Sequence, residues 1–358
     1  MSASDGLSVR SAEELLRTLV LMPSSNVDDR RGIARFAVKS LESFGFECRL
    51  LGPSESPAII ASRGSGGLLL SGHLDTVPIG DAWSKKQGEI EGRFLYGRGA
   101  ADMKGGCTAI LMAAAETSKS DIPLTVVLTT DEETGMSGAD SLAREPEISS
   151  ASAIVICEPT SLTIGLREKG LLQLKLMTSG RSAHAAMPQL GENAIHKMLL
   201  ALDRLEPLSR IRDGSSEKMT LSIDVIRGGT KVNVIPDACE AEIDVRTPPN
   251  MKTDEALEVI QEKLSGVDCQ SSLINRLDPI SIPPDAKIVR LLKRITGDVR
   301  TSDIAYATEM IKYKDHNNNI VAFGPGDPRQ AHRMDERIDL DEVVRAARIY
   351  VALASNLS

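Results

Sequence analysis

The chain has 358 residues, 41% hydrophobic and 26% charged. A single core rarely grows that large, so two domains are expected. The net charge of −8 offers no basic face to phosphate, which excludes nucleic-acid binding as the main role. No apolar run nears the ~18 residues of a membrane span. Met1-Ser2-Ala3-Ser4-Asp5-Gly6 has neither a basic start nor a long apolar segment, so no signal peptide is expected and the cytoplasm follows. The five cysteines are scattered, with no Cys-x-x-Cys, which fits a reducing compartment. Cys107, Cys157 and Cys239 lie in apolar runs and read as buried thiols.

In chain order, 12–22 and 29–44 have amphipathic helical periodicity. Segments 47–51, 58–62 and 68–71 read as strands. A small, apolar stretch over 103–118 reads as a helix packed on a sheet. Runs 124–130 and 153–157 are continuously apolar or β-branched, as buried parallel strands are. A short helix over 137–143 separates them. Alternating strands and helices imply an α/β layer fold.

The pattern changes near Gly165. Strands are expected over 171–178, 219–227, 238–245 and 269–273, with helices over 192–205 and 253–264. Thr253 is placed as the N-cap of the second helix. The order β-α-β-β-α-β is that of a ferredoxin-like α+β domain. The first pattern resumes with a helix over 286–295, a strand over 319–323 and a helix over 341–354. The expected division is therefore 1–163 and 274–358 in one domain, with 164–273 inserted into it.

Five acidic or histidine segments fall where strands end. His73 and Asp75 follow the strand 68–71, and ligands of open α/β sheets gather beyond such carboxyl ends. A carboxylate at Asp75 can take the second ring N–H of His73 and fix its tautomer. Asp102 sits between Gly97-Arg98-Gly99 and Lys104-Gly105-Gly106; it could bridge two metal ions or cap the following helix. Glu132 and Glu133 follow the strand 124–130, and a nearby cation would offset their repulsion. Glu158 ends the strand 153–157, where a carboxylate costs energy unless paired or metal-bound. His332 lies in the loop after the strand 319–323. Two imidazoles and several carboxylates at one sheet rim suit two divalent cations.

Those motifs resemble the M20 metallopeptidases, a family of di-zinc deacylases and carboxypeptidases. They are His-Leu-Asp-Thr-Val-Pro, Gly-Arg-Gly-Ala-Ala-Asp-Met-Lys-Gly-Gly, Asp-Glu-Glu-Thr-Gly, Glu-Pro-Thr and the late Ala-His, and the resemblance spans nearly the whole chain. It implies a zinc-peptidase-like mixed-sheet α/β/α catalytic domain carrying the ferredoxin-like insert as lid and dimerisation domain. It also implies that His73, Glu133, Glu158 and His332 ligate metal, that Asp102 bridges, that Asp75 orients His73 and that Glu132 is the general base. Gly180-Arg181-Ser182-Ala183-His184 matches the family segment whose histidine enters the partner subunit's site of a homodimer and stabilises the oxyanion. Asn233 and Arg246 match lid residues that hold substrate, and Gly324 stands in the late substrate loop. Zinc is implied, with cobalt or manganese acceptable to the same donors.

Within the family, Tyr306-Ala307-Thr308-Glu309 and Gln330-Ala331-His332-Arg333-Met334-Asp335-Glu336 resemble acetylornithine deacetylase, although Met334 stands where proline is common. Thr301-Ser302-Asp303 resembles succinyl-diaminopimelate desuccinylase, but Val299-Arg300 replaces the glycine pair usual before it. Carrier-protein-linked lysine or ornithine hydrolases, carboxypeptidases and aminoacylases share the metal set, and a non-catalytic relative would keep the fold alone. The expected partner is a small N-acyl amino acid or peptide substrate, with neither nucleic acid nor membrane. Lys104 and Trp83 read as structural, and His196 and His316 as surface residues.

Overall fold

A computed structural model of the protein describes residues 6–120, 122–209, 218–297 and 299–358. The chain forms two compact units. One runs up to Leu166 and also takes up Ile282–Ser302 and Thr308–Ser358; the other comprises Arg167–Ser281 and Asp303–Ala307. The second unit and the expected insert share 167–273.

The chain opens with helices α1 (Val9–Leu21) and α2 (Val27–Ser43). Ser8 caps α1, its Oγ accepting from the Ser11 amide at 3.1 Å. Strands β1 (Glu47–Leu51), β2 (Ala58–Arg63) and β3 (Leu68–His73) follow, then the short β4 (Glu89–Glu91) and β5 (Phe94–Tyr96). Helix α3 (Gly105–Thr117) leads to β6 (Leu124–Thr129), α4 (Ser137–Leu142), α5 (Pro146–Ser150), β7 (Ala153–Ile156) and β8 (Ile164–Glu168). Next come β9 (Gly170–Ser179), α6 (Ala194–Ser209), β10 (Thr220–Gly228), β11 (Ala238–Thr247), α7 (Thr253–Leu264), β12 (Gln270–Leu277) and β13 (Ile280–Ser281). The chain closes with α8 (Lys287–Thr296), β14 (Thr301–Ile304), α9 (Met310–Tyr313), β15 (Ile320–Ala322), β16 (Arg337–Asp339) and α10 (Leu340–Leu357).

In the first unit the main sheet runs β1-β2-β6-β3-β7-β15-β8. Its centre, β6-β3-β7-β15, is parallel, and these strands are buried along their length. Both faces must therefore be covered, which is why these runs lack polar alternation. Helices α1 and α10 pack against α3, which is buried on nearly every side. The parallel strands end together, at His73, Thr129, Ile156 and Ala322. Cys107 and Cys157 are buried in this unit, and Cys239 in the other.

The second unit has an antiparallel sheet in the order β10-β11-β9-β12, with α6 and α7 packed on it. Leu172, Leu174 and Leu176 of β9 and Ala241, Ile243 and Val245 of β11 point to one face, and Met198, Ala201 and Ile260 of the helices cover them. This is the ferredoxin-like order. Thr253 is the first helical residue of α7 rather than its cap. Its side chain is taken by the Asp278 carboxylate, while Glu255 reaches back to the Lys252 amide at 3.1 Å. Among the described residues no helix is long and apolar enough to cross a membrane.

Candidate dinuclear metal centre

The site of the first unit lies at the carboxyl ends of its parallel strands. His73 is the last residue of β3 and is 1% exposed. Its Nδ1 donates to the backbone oxygen of Asp75 at 3.1 Å, while Asp75 Oδ1 is 3.5 Å away. The tautomer is thus set mainly by a carbonyl, not by the carboxylate alone, and Nε2 is left to face the site. The Asp75 carboxylate has further work: Oδ1 accepts from the Glu132 amide at 3.2 Å and Oδ2 from the Glu133 amide at 3.1 Å. One buried side chain therefore registers both the β3 end and the two-glutamate turn.

Asp102 lies between the two imidazoles. Its Oδ1 is 3.2 Å from His73 Nε2, and its Oδ2 is 3.5 Å from His332 Nε2. Glu158 Oε1 is 3.8 Å from His73 Nε2, and Glu133 Oε1 is 3.0 Å from His332 Nε2. The donors form two trios, His73–Asp102–Glu158 and Asp102–Glu133–His332, each within 4.8 Å of one another and sharing Asp102. His73 also groups with Glu132 and Glu133. Two imidazole nitrogens and carboxylate oxygens crowded this way suit a pair of divalent cations.

The charges need such partners. Burial disfavours a charged His73 ring, but hydrogen bonds to Asp102 and Asp75 outweigh it and lift its pKa well above the ordinary value. Burial pushes the Glu132 and Glu158 carboxyls far upward, helped by neighbouring carboxylates. Cations beside Glu132 and Glu158 would favour their ionised forms.

The sequence pattern did not assign a role to some of the supporting residues. Glu336 is fully buried and accepts from Arg98 Nη1 (2.8 Å) and from the amides of Gly99 (3.1 Å), Ala101 (2.8 Å) and Asp102 (3.0 Å). It holds the loop that presents Asp102. Glu309 is buried beneath the site, accepts from Thr129 Oγ1 and from Ser71 Oγ (3.2 Å), and has its pKa raised by burial to about 7. It ties the ends of β6 and β3. Arg30, buried on α2, donates to Ser56 Oγ at 2.9 Å and lies 4.0 Å from Asp75 Oδ2. Two glycines flank the residue before Glu158. A Cβ on Gly106 or on Gly324 would overlap the carbonyl oxygen of Cys157. Gly324 thus has a packing role at this spot; its amide also donates to Thr160 Oγ1 at 3.1 Å.

Lys104 is buried, donates to the Met22 carbonyl at 2.9 Å and has its pKa lowered by burial to about 8. Arg98 lies over the Trp83 ring at 5.1 Å. His196 and His316 are exposed.

Three of the expected substrate-facing residues belong to the second unit. His184 is exposed, and its Nδ1 accepts from the Ala186 amide at 3.1 Å. The Ala185 amide donates to the Asn233 carbonyl at 3.0 Å, so these two loops are stitched together. Arg246 on β11 rests on the Asp244 carboxylate, with Nε at 2.7 Å and Nη2 at 3.2 Å.

The profile of peptidase family M20/M25/M40 matches residues 69–356. The chain belongs to that family. It is 31% identical over 360 residues to the acetylornithine deacetylase of Myxococcus xanthus, covering 93% of this chain and 94% of the relative. It is 33% identical over 348 residues to a Mycobacterium tuberculosis protein named as a succinyl-diaminopimelate desuccinylase, covering 93% and 95%. Among solved structures, the aminopeptidase PepT of Bacillus cereus superposes with a TM-score of 0.81 at 19% identity, over 98% of this chain and all of that one. That likeness concerns the fold. As a member of a peptidase family with these donors in place, the M20 chain is a metal-dependent hydrolase of amide bonds.

Proposed function

We propose that this M20 chain is a dinuclear amidohydrolase that removes the acyl group from an N-acyl amino acid, with N-acetylornithine as the first substrate to test. The observation that carries this reading is the placement of Asp102, with one oxygen toward His73 and the other toward His332. Asp102 would bridge, His73 and Glu158 would complete one metal site, and Glu133 and His332 the other. Two divalent cations, zinc foremost with cobalt or manganese acceptable, would lower the pKa of a shared water and polarise the scissile carbonyl.

The remaining steps fall to the side chains. Glu132, whose amide is held by Asp75, takes a proton from the attacking water and passes it to the leaving amine as the C–N bond breaks. The products are a carboxylic acid and a free amine. His184 donates to the oxyanion, entering from a second copy of the chain in a homodimer joined through the lid. Asn233, the Gly324 loop and Arg246 hold the substrate. Arg246 would share its fork between Asp244 and the substrate carboxylate. The reading places the enzyme in the cytoplasm, in amino-acid biosynthesis.

Succinyl-diaminopimelate is the second candidate, favoured by the name of the Mycobacterium relative. The Thr301-Ser302-Asp303 triplet lends it little support. Asp303 is engaged by Arg167 through two hydrogen bonds, at 2.7 and 2.6 Å, which gives it a structural role. The deciding experiment is hydrolysis by the zinc-loaded protein of N-acetylornithine, N-succinyl-diaminopimelate and a panel of N-acyl amino acids and dipeptides. Glu132→Gln should hold two metals and lose about 10²–10⁴ in kcat. A variant with wild-type turnover would refute the base assignment. No turnover on the panel by the two-metal protein would refute the substrate class.

A further inference from the structure

The main sheet of the first unit ends on β1. One side of β1 pairs with β2, from Glu47 opposite Ser62 to Leu51 opposite Ala58. Among the described residues, no strand pairs with its other side. A groove of about 520 Å³ lies beside this edge. One wall is a single face of α2, where Arg31, Ala34, Arg35, Val38, Lys39 and Glu42 recur at helical spacing. The other wall is the end of β1 and the turn after it, with Leu50, Leu51, Pro53 and Pro57. The floor is apolar, and the α2 rim carries Arg31, Arg35 and Lys39, with the single anion Glu42 at its far end. Arg31, Arg35 and Lys39 are exposed, and none of them makes an ion pair among the described residues. Three unpaired cations in a row stand out on a chain of net charge −8.

The spacing selects the ligand. Residues four apart on a helix are about 6 Å apart along its axis. An extended chain presents same-face side chains about every 6.6–6.8 Å. Acidic side chains at alternate positions of an extended segment therefore fall opposite Arg31, Arg35 and Lys39 in turn. The main chain of that segment can meanwhile pair with the free edge of β1, as in strand addition to an open sheet. A single-headed amphiphile would use one cation of three and none of the edge. We propose that this groove binds an extended acidic segment of a partner protein, added as a strand beside β1. The site is separate from the metal centre and does not depend on the reading of the activity.

The test uses the full chain and a fluorescein-labelled, capped peptide of alternating glutamate and valine, seven residues long, in an anisotropy titration. Saturable binding that weakens as salt rises is expected. The Arg35→Glu, Lys39→Glu double variant should bind roughly tenfold or more weakly. Its turnover and circular dichroism should remain those of the parent. Two peptides of the same charge, one N-methylated at the central valine and one at the glutamate after it, separate the ladder from charge: alternate amides face β1, so one of the two should lose roughly tenfold. Absence of saturable binding overturns the proposal. So does undiminished binding by both N-methylated peptides, which would leave charge alone, or an unaffected double variant. Dodecanoate binding in the groove where the peptide does not would make this an amphiphile site and also overturn it.

Discussion

Asp102 can serve two metal ions only if its loop is held still, and Glu336 does the holding. Four donors converge on this carboxylate, three of them backbone amides of the loop and one the Arg98 guanidinium. Glu336→Ala would leave Arg98 buried without its anion, a loss of about 3–5 kcal/mol for a buried pair. Chemical denaturation should register that loss, and zinc titration should register weaker binding. Asp75→Asn makes a complementary case. It removes the charge that receives the Glu132 and Glu133 amides, and metal affinity should fall about 10–100-fold. Competition with a chelator measures it; unchanged affinity would make Asp75 a folding residue only. His73, Glu158 and His332 were legible because each follows a strand signal in its own neighbourhood. The holding roles of Glu336 and Arg30 were not, because their partners are remote in sequence: Glu336 meets Arg98 across 238 residues and Arg30 meets Thr134 across 104. No periodicity encodes such a meeting. Glu309, like Glu336, was visible as part of a motif, but its burial against Ser71 and Thr129 was not.

At the scale of elements, the long buried strands declared themselves by composition, and the short ones did not. Strands β4, β5 and β16 have three residues each and form a small sheet of their own. Three residues are too few for a period-two pattern to register. The helix expected from Met103 begins instead at Gly105. Asp102 (φ −120°, ψ 96°) and Met103 (φ −128°, ψ 35°) both lie outside helical dihedrals, so the Asp102 carboxylate is presented by a non-helical turn and does not cap α3. The close approach of α3 to the end of β7 adds a test. Gly106→Ala puts a methyl group into the Cys157 carbonyl, one residue before Glu158. The β7 end must shift, and the His73–Asp102–Glu158 trio should lose affinity more than the trio containing His332. Stepwise metal titration by calorimetry separates the two; equal losses would mean that α3 moves as a body.

The whole molecule is two cores on one chain. The expected metal ligands all belong to the first unit, and the second has its own sheet, helices and apolar core. Bound metal should therefore stabilise the first unit by mass action, by about 2.7 kcal/mol at a hundredfold excess over Kd. Differential scanning calorimetry should resolve two transitions, only one of which shifts on chelation. A single transition that shifts as a whole would show the units unfolding together. The overlap of the expected insert with the second unit over 167–273 reflects the helix and strand order, which changes near Gly165 and changes back. The strand expected to end at 273 runs on, as β12, to Leu277.

Asp102 is proposed to join two metal sites. Zinc anomalous diffraction from a crystal of the zinc-loaded protein tests it most directly. Two peaks are expected on either side of the Asp102 carboxylate, one at ligand distance from His73 and Glu158, the other from Glu133 and His332. A single peak, or a second peak away from Asp102, would contradict it.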